Sequence, residues 1–337
     1  MLENASNFEQ IPANEVEHIE QLSARLKAKI IKDNAGGIMR RDAHPKMHGL
    51  VQGEFIIEPN LPKELAIGLF SEAKTFPAWI RFSNQDGQFN PDIQRDIRGM
   101  AIKLMDVQGE KLLAEEKHAQ THDFITISTD IFVTKDVAEF DDLIKAVTGS
   151  WLRKLLFFAT HWRVIINLIK SMKKFANPLQ IRYFSTTPYL FGDRAVKYSV
   201  IPHIETVEAI PDKPSENYLR EAMTQKLDQG GASFDFCVQF QKDSKQMPIE
   251  DPGKRWDESK SPFCKIATIN IPSQTFATTK RDELGENLSY TPWHALPEHQ
   301  PLGGINRARK VIYNLISTFR HQENNQTRQE PVGFDEP

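Results

Sequence analysis

Ser233-Phe234-Asp235-Phe236-Cys237-Val238-Gln239-Phe240-Gln241 decides the fold class. Phe234, Phe236, Val238 and Phe240 share one face of an extended chain, and Asp235, Cys237 and Gln239 share the other. Strict alternation marks a half-buried antiparallel strand, with one face on the core and the other on polar surroundings. Working outward, six more short runs read as strands: Gly53–Glu58, Ala78–Asn84, Met100–Met105, Asp123–Thr129, Arg194–Ile201 and Cys264–Ile271. Val16–Lys32 reads as an amphipathic helix through Val16, Ile19, Leu22, Leu26 and Ile30. One helical block is expected from about Asp136 to Phe175, ending before Asn177-Pro178, and another from about Asn306 to Gln322. Many short strands followed by helices predict an α+β chain, an antiparallel barrel with helical insertions and C-terminal helices. Residues 1–34 form a helical N-terminal arm, weakly structured up to residue 15. Residues 323–337 are polar, contain Pro331 and Gly333, and read as a disordered tail.

With 39% hydrophobic residues over 337 positions, the core is large enough to hide a cofactor. The formal net charge of -3 argues against general nucleic-acid binding, which needs a basic face. No glycine-rich phosphate loop follows any strand, which argues against a nucleotide-driven enzyme. Cys237 and Cys264 are read as two buried, reduced thiols, and with no signal-peptide pattern the expected location is cytoplasmic. Trp151–Lys174 mixes Leu155, Phe157, Phe158, Ile165, Ile166 and Ile169 with Lys and Arg. Two readings stand: a helix packed on the barrel with its lysines in water, or a peripheral membrane contact that can admit a fatty substrate.

Three segments could carry chemistry. Arg309 and Tyr313 are four apart, so their side chains meet on one helix face, and Arg320 lies two turns further on. Ile305, Ile312 and Ile316 turn that stripe toward the core, where an arginine asks for an anion. A metal-bound phenolate and the carboxylates of a cofactor would serve; a solvated helix face with a tyrosine at its edge is the other reading. In Arg40–Gly49, His44 could shuttle protons. His48 four residues on could suggest metal ligands, but Pro45 and Gly49 argue against a regular helix there, and a structural loop remains open. In Phe76–Asn84, Arg81 and Ser83 share one strand face, so Ser83 could orient a histidine while Arg81 meets an anion or solvent. Arg95, Asp96 and Arg98 read as an ion-paired turn.

Together these pieces resemble the heme catalase family. The matching motifs are Arg41-Asp-Ala-His44-Pro-Lys46, Pro77-Ala-Trp-Ile-Arg81-Phe82-Ser83, Arg95-Asp96-Ile-Arg98-Gly99-Met-Ala101-Ile-Lys103, Phe132-Val-Thr-Lys-Asp136 and the Arg309–Tyr313 helix. The resemblance spans residues 35–322, the expected heme-binding domain. It is to the short, catalase-related branch, which keeps the eight-stranded barrel and heme pocket but lacks the long arms and extra C-terminal domain. The segments Tyr183–Tyr189 and Pro292–His299 look typical of that branch.

The resemblance implies heme b as cofactor, with Tyr313 as iron ligand and Arg309 as its partner. It implies Arg41, Arg81 and Arg320 on the heme propionates and Phe140 on the heme face. His44 would be the distal acid/base, with Ser83 bonded to its far nitrogen. The implied reaction is heterolysis of a peroxide O–O bond, His44 moving the proton while the tyrosinate pushes electron density through iron. The chain departs from the pattern at one point: Ile127 falls where a distal asparagine is expected. That turns the expected activity toward a peroxidase using organic or hydrogen peroxide and an organic electron donor, with weak catalase activity. Fatty-acid hydroperoxide isomerisation and non-catalytic heme binding are the alternatives. Without interlocking arms, a homodimer is expected.

Overall fold

The Phe234–Phe240 face does turn inward. The computed structural model describes residues 7–334, so the expectations for residues 1–6 and 335–337 lie outside the described residues. The strands are Met47–Ile57 (β1), Thr75–Asn84 (β2), Arg98–Met105 (β3), Thr121–Ile127 (β4), Tyr183–Phe184 (β5), Tyr189–Phe191 (β6), Arg194–Pro202 (β7), Ala232–Phe240 (β8) and Cys264–Ile271 (β9). All pair antiparallel in the order β5-β4-β3-β2-β1-β9-β8-β7-β6. A further pairing of β5 with β7, Tyr183 opposite Val200 and Phe184 opposite Ser199, closes eight of them into a barrel. β6 hangs on β7 as a hairpin outside the ring. Closure leaves the ring no free edge to pair elsewhere.

Aromatic rings fill the barrel. Phe236 meets Phe55 edge-on at 5.0 Å and Phe124 at 4.7 Å, and Tyr198 packs on both Phe124 and Phe236. A small barrel filled in this way is a core rather than a ligand cavity. Its outer face is what remains for chemistry. On β2, Ala78, Ile80 and Phe82 enter the core, so the alternation sends Trp79, Arg81 and Ser83 outward.

Helices cover that outer face. Glu15–Asp33 (α1) packs Ile19, Leu22, Leu26 and Ile30 against Ile305, Ile312 and Ile316 of Gly304–Glu323 (α7), so the N-terminal helix lies back on the body. The block expected from Asp136 to Phe175 divides into Val137–Thr148 (α2), Trp151–Thr160 (α3) and Trp162–Ser171 (α4). Gly149 ends α2, and the Ser150 hydroxyl accepts the Arg153 N–H at 3.4 Å to start α3. His161, at φ -110° and ψ 53°, both ends α3 and opens α4. Two more helices lie outside those blocks: Tyr218–Gln229 (α5), which buries Leu219, Met223 and Leu227 at four-residue spacing, and Thr279–Asn287 (α6), which has no apolar stripe. No helix among the described residues is long and apolar enough to cross a membrane.

Two expectations change. Residues 324–334 have no regular structure, but they are anchored rather than loose. Glu330 Oε2 accepts bonds from Lys103 Nζ at 2.6 Å and Thr121 Oγ1 at 2.7 Å, and Lys103 is fully buried. Trp79 Nε1 donates to the Gly333 carbonyl at 3.1 Å, and Phe334 stands edge-on to the Trp79 ring. Polar composition missed these contacts because one acid and one aromatic are enough to tie the segment down. Both cysteines are free, Cys237 buried as expected but Cys264 exposed, because it begins β9 where two residues project beyond the packed layer.

Candidate active site

Pairing across the sheet lines up the outward side chains in rows. Ser83 lies opposite Gly99, which lies opposite Ile127; one row over, Arg81, Ala101 and Ile125 are partners; the next row holds Trp79, Lys103 and Asp123. Directly paired antiparallel residues point to the same side, so each row is one strip of surface.

His44 reaches the first row from the loop before β1. Its Nδ1 lies 3.0 Å from Ser83 Oγ. The ring rests where Gly99 has no side chain: a Cβ there would sit 2.6 Å from both His44 Cε1 and Nδ1. The backbone is held in the left-handed region, at φ 64°. That conformation costs a non-glycine residue energy and persists only when surroundings impose it. Here Arg81 Nη2 donates to the His44 carbonyl at 2.9 Å, and the His44 N–H donates to the Gln85 carbonyl at 3.2 Å. Burial, then the charges of Arg81, Arg309 and Arg41, lower the imidazole pKa to about 3, so the ring is neutral at pH 7. His48, four residues on, is fully buried against Asn84 Oδ1 at 2.6 Å and belongs to the scaffold. Of the ion-paired turn expected from Arg95, Asp96 and Arg98, only the Arg98–Asp96 pair forms among the described residues, at 3.6 Å; Arg95 is exposed, and Arg98 lies buried at the start of β3.

The second row leads to a cluster of arginines. Arg81 Nε donates to the Gly285 carbonyl at 3.2 Å; Arg41 reaches the Leu288 carbonyl; Arg320 bonds the Glu286 carboxylate. Arg41 Nη1 lies 3.3 Å from Glu286 Oε2 yet forms no hydrogen bond, and the nearby Tyr290 hydroxyl is buried without one. Glu286 is the carboxylate among these three guanidinium groups. Burial and neighbouring guanidinium charge, with Arg41 the foremost in each case, lower both Arg81 and Arg320 to about 9. Burial would raise the Glu286 pKa, but Arg41, Arg320, Arg81 and Arg40 bring it below the usual range. Sequence reading missed Glu286 because α6 buries only Arg281 and Gly285 and so shows no apolar stripe. The available signal was its N-cap, the Thr278 hydroxyl accepting the Arg281 N–H at 3.2 Å.

Tyr313 and Arg309 come from α7. Tyr313 is half-buried on the α1–α7 core, as are Phe132 and Phe140. Phe132 and Phe140 meet edge-on at 5.3 Å, and both also pack on the cluster that contains Ile127. Arg309 stands 5.8 Å from the Phe132 ring centre. Among the described residues no hydrogen bond joins Arg309 to Tyr313; the guanidinium donates instead to Thr187 Oγ1 at 3.2 Å and Asn306 Oδ1 at 3.3 Å. Arg309 nevertheless contributes to the field on His44. The structure therefore gathers His44, Ser83, Arg81, Arg41 and Arg320 closely, and ties in Arg309, Tyr313 and Phe140 through the Phe132–Phe140 pair.

The arginine cluster carries more positive charge than one carboxylate answers, and buried guanidinium groups require anions. A group with two carboxylates and an apolar plane, such as heme, fits these residues: arginines for the carboxylates, Phe132 and Phe140 for the plane.

Solved catalases share the fold. The chain superposes on a fungal catalase with TM-score 0.64 at 16% identity, covering 90% of this chain and 64% of that one. A bacterial catalase gives TM-score 0.65 at 18% identity, with 92% and 64% covered. Catalase A from Saccharomyces cerevisiae gives 0.66 at 18%, with 93% and 69% covered. The chain thus spans about two thirds of the length of these proteins. No curated protein sequence matches it. The catalase family model matches residues 5–177, half of the chain, and with the closed barrel this places the protein in the catalase family.

Proposed function

We propose that this chain is a heme-dependent peroxidase acting on organic or hydrogen peroxide with an organic electron donor, with weak catalase activity. The observation that carries the reading is His44: a neutral imidazole, its Nδ1 held by Ser83 and its ring seated against Gly99, beside arginines short of anions. Arg41, Arg81 and Arg320 would hold the heme b propionates, Phe140 would pack on its face, and Tyr313 would ligate the iron, with Arg309 nearby.

Bound heme supplies the electrons that break the peroxide O–O bond. The protein's part is to move a proton. With Nδ1–H donating to Ser83 Oγ, Nε2 keeps its lone pair; it takes the proton from one peroxide oxygen and delivers it to the other, which leaves as water or an alcohol. A neutral resting imidazole suits this, since a protonated one could not accept. Phe132 and Phe140 restrict water around the reacting atoms.

Adding heme to the purified full chain should produce a Soret band; its absence overturns the proposal. Turnover of hydrogen peroxide and cumene hydroperoxide, with and without a phenolic donor, then tests the activity. Tyr313→Phe is expected to lower heme retention about tenfold or more, measured by transfer to apomyoglobin, as loss of one metal-site contact typically does. A second reading, isomerisation of fatty hydroperoxides, is favoured by Ile127 in the row of Ser83 and Gly99, which places an aliphatic side chain beside His44. Rearranged product formed without donor consumption would select it, and a heme-bound chain with no turnover would select a binding protein.

A further inference from the structure

From residue 143 to residue 192 the sequence contains no Asp or Glu but eight Lys or Arg, in a chain whose net charge is -3. The helices α3 and α4 lie in this stretch. Three of the eight are answered by acids: Lys145 by Asp141 and Asp142, Arg163 by Asp251 and Arg182 by Glu258. Among the described residues Arg153, Lys154, Lys170, Lys173 and Lys174 form no ion pair, and all five are exposed.

Apolar surface is concentrated in the same place. Trp151 is 76% exposed and Trp162 67%, and Leu152, Leu155, Leu156 and Ile169 are each half exposed or more. In α3 only Phe157 is buried, so residues one and four apart, Trp151, Leu152, Leu155 and Leu156, form an outward apolar face. Scattered exposed apolar residues are ordinary on a soluble protein; a contiguous group with tryptophans at its margin marks an interaction site. The inner side of the same helices is fixed, with Phe157 and Val164 packed in the cluster that holds Ile127. The hairpin is therefore a rigid wedge with an apolar, basic outer side.

We propose that α3 and α4 dock the protein on an anionic lipid bilayer, Trp151, Leu155, Leu156 and Trp162 entering the interface and the five unpaired basic side chains meeting lipid phosphates. Charge selects this occupant. A twofold contact between copies would set the same patch against itself, five unpaired cations facing five with no carboxylate between them. An anionic bilayer supplies the missing charge, and amphipathic rings settle at its boundary.

The test uses the full chain with vesicles of phosphatidylcholine alone or mixed equally with phosphatidylglycerol. Co-sedimentation with the acidic vesicles should exceed that with the neutral ones at least tenfold and weaken with salt, each basic side chain contributing about fivefold. Trp79, Trp256 and Trp293 are buried, so a blue shift of tryptophan emission and its quenching by brominated acyl chains report on Trp151 and Trp162. Trp151→Ser with Trp162→Ser should abolish both signals. Lys154→Glu with Lys170→Glu, at exposed positions, should reduce binding at least tenfold with unchanged thermal unfolding, and decides the matter if the tryptophan variants fail to fold. Protein left in the supernatant with acidic vesicles overturns the proposal. So does a larger species, seen by light scattering, that Leu155→Ser splits.

Discussion

Two buried charge clusters sit one row apart on the outer face of the barrel, and they are built differently. In one, Lys103 lies 2.7 Å from Asp123 Oδ1 and 2.6 Å from Glu330 Oε2, with Thr121 and His294 completing the bonds. Burial lowers the Lys103 pKa, yet Asp123 and Glu330 raise it well above the ordinary lysine value. In the other, Arg41, Arg81 and Arg320 surround one carboxylate, and Arg81 and Arg320 fall to about 9. The first cluster answers its own charge and serves the scaffold. The second is short of anions, which is how a scaffold looks when a bound group is meant to finish it. In the Glu116–His294–Glu330 group, whose ligand atoms could gather round a cation, both carboxylates already face a cation, Glu330 facing Lys103 and Glu116 facing Arg328.

Four changes would break or sharpen this contrast. His44→Ala should leave heme bound but cut peroxide turnover by about 10²–10⁴, the range of a lost general acid/base; full turnover in steady-state assays would end the proposed mechanism. Lys103→Met strands buried carboxylates and should cost about 3–5 kcal/mol, as breaking a buried pair does, measured by urea unfolding. Acid should destabilise the fold through His44, lowered to about 3, through His48 and His299, each lowered to about 4, and through His122, which burial lowers well below the ordinary value. Each folded value lies below the unfolded one, so the stability is present above pH 6.5 and declines as pH falls toward these values. The slope should be about 1.4 kcal/mol per pH unit for each histidine. His44→Ala should lower the slope by about 1.4 kcal/mol per pH unit, the share of one histidine; an unchanged slope would show that His44 is not buried neutral. The smallest effect belongs to Arg320→Met. Arg41 still faces Glu286 and two like charges are relieved, so stability should stay within about 1 kcal/mol while heme affinity falls; a loss like that of Lys103→Met would show the arginine cluster to be scaffold too.

Much of the barrel was legible because each strand states its own period. Ser233–Phe240 needs no partner to show which face enters the barrel, and the same holds for Ala78–Asn84, although helices and loops bury much of the outer face of both. The site was less legible because its residues are joined across the sheet. Gly99 makes room for His44 only through the register that sets it beside Ser83, and no local pattern contains that register. Glu286 lies on a helix without a stripe, and Arg309 turned to Thr187 and Asn306, partners invisible from the spacing to Tyr313. The helical block expected after Asp136 divides at Gly149-Ser150, where the Ser150 hydroxyl caps a new helix, and at His161, whose backbone leaves the helical region, breaks that continuous apolar character does not reveal.

Lys103 and Glu330 are 227 residues apart in the chain. Closing so long a loop is slow, and nothing local rewards it in advance. While residues 324–334 are still undocked, β3 carries a lysine and β4 an aspartate under incomplete cover. Docking of Glu330 therefore seals the outer face and completes the burial of Lys103 and Asp123, a molecular full stop written far from the sentence it closes.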